Sequence, residues 1–238
     1  MDDSQILGVW GAGRADPAAR PLLMLAAAHP ELPVAELAEL PVGRCNVLLL
    51  RDRRLTFGDR LDGDATCPGC DERLEVTMPL AELTAGPDVP AEGATVRAAG
   101  VEVRFRLPVH ADLLAAQVTG DAAAAARVLL GRCVLTAERD GVPVPVADLP
   151  AEVVDALDTA LADRDPHADL RLSTECASCG RGFELAIDPG GLYWAELAEH
   201  ARRLLHDIHR LATAYGWSEQ EILMIDPARR EAYLELVG

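Results

Sequence analysis

Apolar residues follow two rhythms along this chain. Helical spacing comes first: Pro21–Ala28 and Val34–Leu40 predict two short helices separated by His29-Pro-Glu-Leu-Pro33, and Asn46–Phe57 predicts a third that stops at Gly58. Strict alternation takes over in the middle, at Leu74, Val76 and Met78 and again at Val101, Val103, Phe105 and Leu107, which predicts half-buried strands. Residues 85–100, rich in Gly, Pro and Ala, predict a loop with one poor strand at most. The run Ala122–Ala126 has high helix propensity and marks a helix over Asp121–Leu135, preceded by a shorter one over Asp112–Gln117. Val142-Pro-Val-Pro-Val predicts an extended linker, because proline donates no ladder hydrogen bond. Pro150–Ala162 carries Val153, Val154, Leu157 and Leu161 at helical spacing, and Asp169–Leu172 predicts a short strand.

The C-terminal fifth is the most regular part. Leu197, Ala201, Leu204, Ile208, Leu211 and Tyr215 are spaced four, three, four, three and four apart, a heptad-like seam that needs a partner helix. Two candidates follow at once. Ser218-Glu-Gln-Glu221 is a capping box flanked by Trp217 and Ile222 at the positions of a hydrophobic staple. Asp226-Pro227 then supplies an N-cap and a first-turn proline for a last helix bearing Tyr233, Leu234 and Leu236. The seam is expected to pack on these helices of its own chain, with docking to another protein as the functional alternative. His206 and His209 lie three apart but lack the acidic pattern of a histidine metal site, and read as surface or partly packed residues.

Two segments repeat each other. Thr66-Cys67-Pro-Gly-Cys70 and Glu175-Cys176-Ala-Ser-Cys179 each hold two cysteines three apart, and the fourth, sixth and eighth residues after the second cysteine are apolar: Leu74, Val76 and Met78, then Phe183, Leu185 and Ile187. Two thiolates in one tight turn can face a single cation, and two such turns complete a four-sulfur tetrahedron. Cys67, Cys70, Cys176 and Cys179 are therefore the expected ligands of one structural zinc ion. The 105 residues 71–175 would form an insertion between the halves of the site. An iron–sulfur centre or a vestigial site without metal are the alternatives. Redox chemistry fits less well, because each pair precedes a strand and not a helix N-terminus that would lower a thiol pKa. Cys45 and Cys133 stand alone in apolar surroundings and read as buried small residues.

Composition narrows the field. Thirty-nine acidic residues against 22 basic ones, all of them arginine, give a formal charge of −17. Such a surface repels phosphate backbones, so nucleic acid is not an expected partner despite the finger-like cysteines. The longest early apolar stretch, Leu22–Ala28, is far short of the roughly 18 residues a membrane helix needs. With no basic leader segment, the expectation is a soluble cytoplasmic protein, which makes a metal site rather than disulfides the natural use of the cysteines. No nucleophile elbow, P-loop or H-E-x-x-H occurs, and Gly11-Ala-Gly13 meets Asp16 where a dinucleotide fingerprint needs its third glycine. Four sulfur ligands also leave no open coordination position, so no enzyme and no small-molecule substrate are expected.

The order Gly58-Asp-Arg-Leu, Cys67-Pro-Gly-Cys70, Phe105-Arg-Leu-Pro, Asp112-Leu, Asp169-Leu-Arg-Leu, Cys176-Ala-Ser-Cys179-Gly, then Tyr215-Gly-Trp-Ser and Arg229-Arg-Glu-Ala-Tyr-Leu resembles the baseplate hub assembly chaperone family of contractile-tailed phages and related injection systems. The chain departs from that pattern at Ala177, where the family usually has proline; this costs turn rigidity but no ligand. The resemblance implies a helper or component of a baseplate, working through contacts with other baseplate or tail proteins in the cytoplasm or within the assembled particle. Tyr215, Trp217, Ile222, Arg229, Arg230 and Tyr233 are the candidate partner-binding residues. A zinc-ribbon adaptor in another intracellular complex is the alternative. The expected architecture is α+β: an N-terminal helical region (1–60), a split zinc-ribbon β core (61–190) with strands and helices inserted at about 100–165, and a C-terminal helical module (191–238).

Overall fold

Asp2 caps the first helix: its carboxylate accepts from Gln5 N–H at 2.8 Å, while the Gln5 side chain accepts from Asp2 N–H at 2.9 Å. This reciprocal box starts α1 (Asp3–Ala15), which the sequence reading left without an element. After a 3₁₀ turn at Pro17–Ala19, α2 (Arg20–Ala28) buries Met24 and Leu25. The computed structural model describes residues 1–78, 80–86 and 93–237, and the chain divides into two compact units. One comprises Met1–Pro30 together with the chain from Gly190 onward; the other is Glu31–Pro189. The helices expected to form one region over 1–60 are thus divided between the units.

The second unit opens with α3 (Val34–Ala38) and α4 (Val42–Phe57). A hairpin of β1 (Leu61–Thr66) and β2 (Arg73–Met78) follows, then a single turn of helix, α5 (Leu80–Leu83). Part of the expected 85–100 loop, residues 87–92, lies outside the described residues. Beyond it, β3 (Ala94–Ala98) and β4 (Val101–Phe105) form an antiparallel pair. Next come α6 (His110–Gln117), α7 (Ala122–Cys133), β5 (Val134–Arg139) and the two-residue β6 (Val142–Pro143). Val134 and Leu135, read as the end of a helix, instead start a strand, because pairing with β4 overrides their local preference. The order β3-β4-β5-β6 puts the proline-bearing segment at a sheet edge, where its missing donor costs no ladder bond.

Val101, Val103 and Ala137 from this sheet pack on Val153 of α8 (Ala151–Arg164) to form the core of the inserted lobe. Asp112 ties the lobe together. Fully buried, it accepts from both Nη atoms of Arg106 (2.6 and 3.0 Å), from Arg132 Nε (2.6 Å) and from Val109 N–H (2.9 Å). Burial alone would raise its pKa, but the two guanidiniums outweigh that and hold it at about 2. A second hairpin, β7 (Arg171–Glu175) and β8 (Gly182–Ala186), closes the unit.

The chain then re-enters the first unit through α9 (Pro189–Tyr215), followed by α10 (Glu219–Leu223) and α11 (Pro227–Leu236). Both caps lie where the sequence puts them: Ser218 and Glu221 exchange the capping-box bonds, and Asp226 accepts from Ala228 N–H at 3.0 Å. Of the seam, Leu204, Ile208 and Leu211 pack with Ile222 in one buried cluster, against Trp217, Tyr233 and Leu234. The seam is therefore satisfied within its own chain. At the other end of α1, a Cβ at Gly13 would lie 2.5 Å from the Trp194 ring, so only glycine admits this approach. Gly13, considered for a nucleotide loop, is thus a helix-packing position.

Candidate metal centre

Each cysteine pair lies in the turn of a hairpin, so strands flank it on both sides. The two turns share one backbone pattern. Cys67 N–H donates to the Glu72 carbonyl (2.9 Å) and Asp71 N–H to the Cys67 carbonyl (3.0 Å); Cys176 N–H donates to the Arg181 carbonyl (3.0 Å) and Gly180 N–H to the Cys176 carbonyl (2.8 Å). The residue four after the first cysteine has positive φ in both, 58° at Asp71 and 69° at Gly180. The register also repeats, with Thr66 opposite Arg73 and Glu175 opposite Gly182. Arg181 lies against Gly69, where a Cβ would come within 2.7 Å of its Cδ, so the two turns are in direct contact.

Both hairpins are tied to α4. At its C-terminal end Gly58 takes φ 94°, and the buried Arg53 donates to the Gly58 and Arg60 carbonyls at 2.7 Å each, fixing the entry to β1. At its N-terminal end Gly43 N–H donates to the buried Asp165 carboxylate (2.9 Å), and Asn46 Nδ2 donates to the His167 carbonyl (2.9 Å), which anchors the segment leading into β7. A Cβ at Gly43 would lie 1.8 Å from Asp165 Oδ1, so this contact requires glycine. Burial pushes the Asp165 carboxyl above the usual range. A helix of 16 residues, about 24 Å long, thus holds two turns whose cysteines are more than a hundred positions apart. Arg53, Gly43, Asn46 and Asp165 were not singled out in the sequence; the only local hint was Gly58 at the end of a helical pattern.

The four sulfurs lie within 4.8 Å of one another, with Cys67 Sγ 3.7 Å from Cys179 Sγ and Cys70 Sγ 3.7 Å from Cys176 Sγ. For a metal–sulfur bond of about 2.3 Å, the edge of a regular tetrahedron is about 3.8 Å. The four cysteines can therefore hold one metal ion. Cys67 and Cys176 point inward and are fully buried, whereas Cys70 and Cys179 are exposed. Without a cation, Gly69 N–H donating to Cys67 Sγ at 3.3 Å leads the effects that lower this thiol to about 7. At Cys70 the Glu72 N–H also favours the thiolate, but the neighbouring sulfurs outweigh it and push the thiol up to about 12. Metal ligation needs thiolates, and a divalent cation would offset the repulsion among sulfurs held this close. Cys45 and Cys133 are buried away from this cluster, and burial raises each to about 11. His206 and His209 join no metal-binding group among the described residues.

The candidate partner-binding residues lie in the other unit and serve its interior to differing degrees. Ile222 is fully buried, and Arg230 is 7% exposed and paired with Asp3. Tyr215 stacks on Trp217 with ring centroids 4.5 Å apart, and Tyr233 meets both rings edge-on. Arg229 is on the surface.

Fold and site together define a mixed α+β protein in which two hairpins, separated by an inserted lobe, meet at a four-cysteine centre. Residues 32–188 match the family described as T4 bacteriophage base plate protein, and the chain belongs to that family. The matched span coincides almost residue for residue with the unit Glu31–Pro189. It ends before the C-terminal helices α9, α10 and α11. No curated protein matches the chain, and neither does any solved structure. Among the described residues, no helix is long and apolar enough to cross a membrane.

Proposed function

We propose that the protein is a non-catalytic, zinc-stabilised assembly or structural protein for the baseplate of a phage-like contractile tail or injection system, acting through contacts with other baseplate or tail proteins. The observation that carries this reading is the coincidence of the family match with the unit that contains the four-cysteine centre. Cys67, Cys70, Cys176 and Cys179 are the ligands in this reading. Four thiolates at tetrahedral spacing suit zinc, with iron as the competitor of similar geometry. The metal supplies a closed, redox-silent cross-link between the hairpins and has no position left for water or substrate. Its role is to keep the two ends of the inserted lobe in register, so that the unit presents one fixed surface. Residues of the C-terminal helices, Tyr215, Trp217, Arg229 and Tyr233 among them, supply the partner contacts.

The test is genetic and chemical together. Particles are assembled with the gene deleted, with wild type restored, and with Ser218–Gly238 removed, while metal is quantified on the purified wild-type protein. Loss of contractile particles in the deletion and the truncation, with one equivalent of zinc, is expected. Normal particles from the deletion would overturn the assembly role, and less than half an equivalent of metal would overturn the zinc clamp.

A further inference from the structure

The first unit carries an open cleft of roughly 730 Å³ between the start of α1 and the α10–α11 connection. Leu223, Met224 and Ile225 give it an apolar wall, and Asp2, Asp3 and Glu219 give it a carboxylate wall. Asp3 is already paired with Arg230 and His200, which fixes that side of the cleft to α9 and α11. Asp2 and Glu219 are exposed and contribute negative charge. Met224 is 80% exposed although apolar, and its unbranched thioether adapts to varied partners. The size is that of a ligand or peptide site.

We propose that this cleft is a docking site for a segment of a baseplate or tail protein that carries an apolar anchor flanked by arginine or lysine. The inference rests on the assembly role proposed above and adds to it a surface and the chemistry of the partner. Charge complementarity selects the occupant: two exposed carboxylates beside an apolar wall, on a chain of net charge −17, attract a basic partner and repel an acidic one. A second copy of this chain is a poor occupant because it brings the same negative field. The neighbouring Ile222 and Arg230, which the sequence suggested as contact residues, are occupied inside the unit; Met224 and Glu219 are their accessible counterparts.

The experiment places a photo-crosslinking amino acid at position 224 of the full chain during particle assembly and sequences the crosslinked peptide. In parallel, Met224→Asp and Glu219→Lys are compared with wild type for particle yield, with thermal unfolding as a check that the variants fold. A crosslinked segment from another tail protein with arginine or lysine within a few residues of an apolar side chain is expected. Binding of that segment should fall about 30-fold in Met224→Asp, the size of an interface anchor, and should weaken with salt in wild type. A crosslink to a second copy or to an acidic segment, or wild-type yield from both folded variants, would overturn the cleft assignment while leaving the assembly role intact. If particles form without the protein at all, both readings fall.

Discussion

Replacing Cys176 by serine removes one of the two buried sulfurs and leaves three ligands for the cation. The hydroxyl is a poor substitute for a thiolate at a soft tetrahedral site, so the metal should be lost. Metal that binds only the folded unit stabilises it by RT ln(1 + [L]/Kd), about 4 kcal/mol when free metal exceeds Kd a thousandfold. A domain of 150–250 residues shifts by about 2–4 °C per kcal/mol, so the Glu31–Pro189 unit should lose roughly 8–16 °C of melting temperature. The rest of that unit should survive below the new transition, because the lobe built on Val101, Val103, Ala137 and Val153 has its own core. Calorimetry on wild type and Cys176→Ser, each with and without a chelator, reads this as a cycle. The chelator should lower the wild-type transition to that of the variant and leave the variant unmoved. An equal chelator effect on both proteins, or a variant that melts with wild type, would refute a shared cation at these four sulfurs.

Further substitutions test the inserted lobe and one support of the centre. Asp112→Ala leaves Arg106 and Arg132 without their shared partner and should cost about 1–3 kcal/mol, read by denaturant unfolding, because both guanidiniums keep access to water. Because the Asp112 pKa is depressed, its contribution is complete above the ordinary carboxylate value of 3.8 and is lost as pH falls through about 2; wild type should show an acid-unfolding limb in that window which Asp112→Asn lacks. Gly43→Ala drives a methyl into the Asp165 carboxylate and the Ala168 backbone, and should destabilise by about 1–3 kcal/mol, with faster hydrogen exchange in β7 and β8 than in β3 and β4.

What the sequence made legible was what is decided locally. Ser218 with Glu221, and Asp226 with Pro227, announce their helices because a cap involves only residues within a turn of one another. The knuckles were readable for the same reason, and their repetition betrayed a shared site. Other elements depend on distant partners. Leu61-Asp-Gly-Asp-Ala-Thr66 alternates only weakly, with the small Gly63 and Ala65 following Leu61 on the inner side, and becomes β1 because β2 supplies its ladder. Val134 and Leu135 look like the end of an alanine-rich helix until β4 captures them. The box between Asp2 and Gln5 is local and was open to reading, yet without a periodic run behind it the helix it starts went unassigned. Arg53, Asp112 and Asp165 are charged residues in a protein interior, and no one-dimensional pattern distinguishes them from surface charges.

The split of the first unit orders events during synthesis. Residues 1–30 leave the ribosome first, but the helices they pack with start only at Gly190, some 160 positions later. At roughly 5–20 residues per second, the opening helices wait about 8–32 s for their partners. Near the end of that interval the second hairpin, and with it the second cysteine pair, emerges last within its own unit. The cysteine clasp can thus close within its own unit before residues 1–30 meet the helices that begin at Gly190.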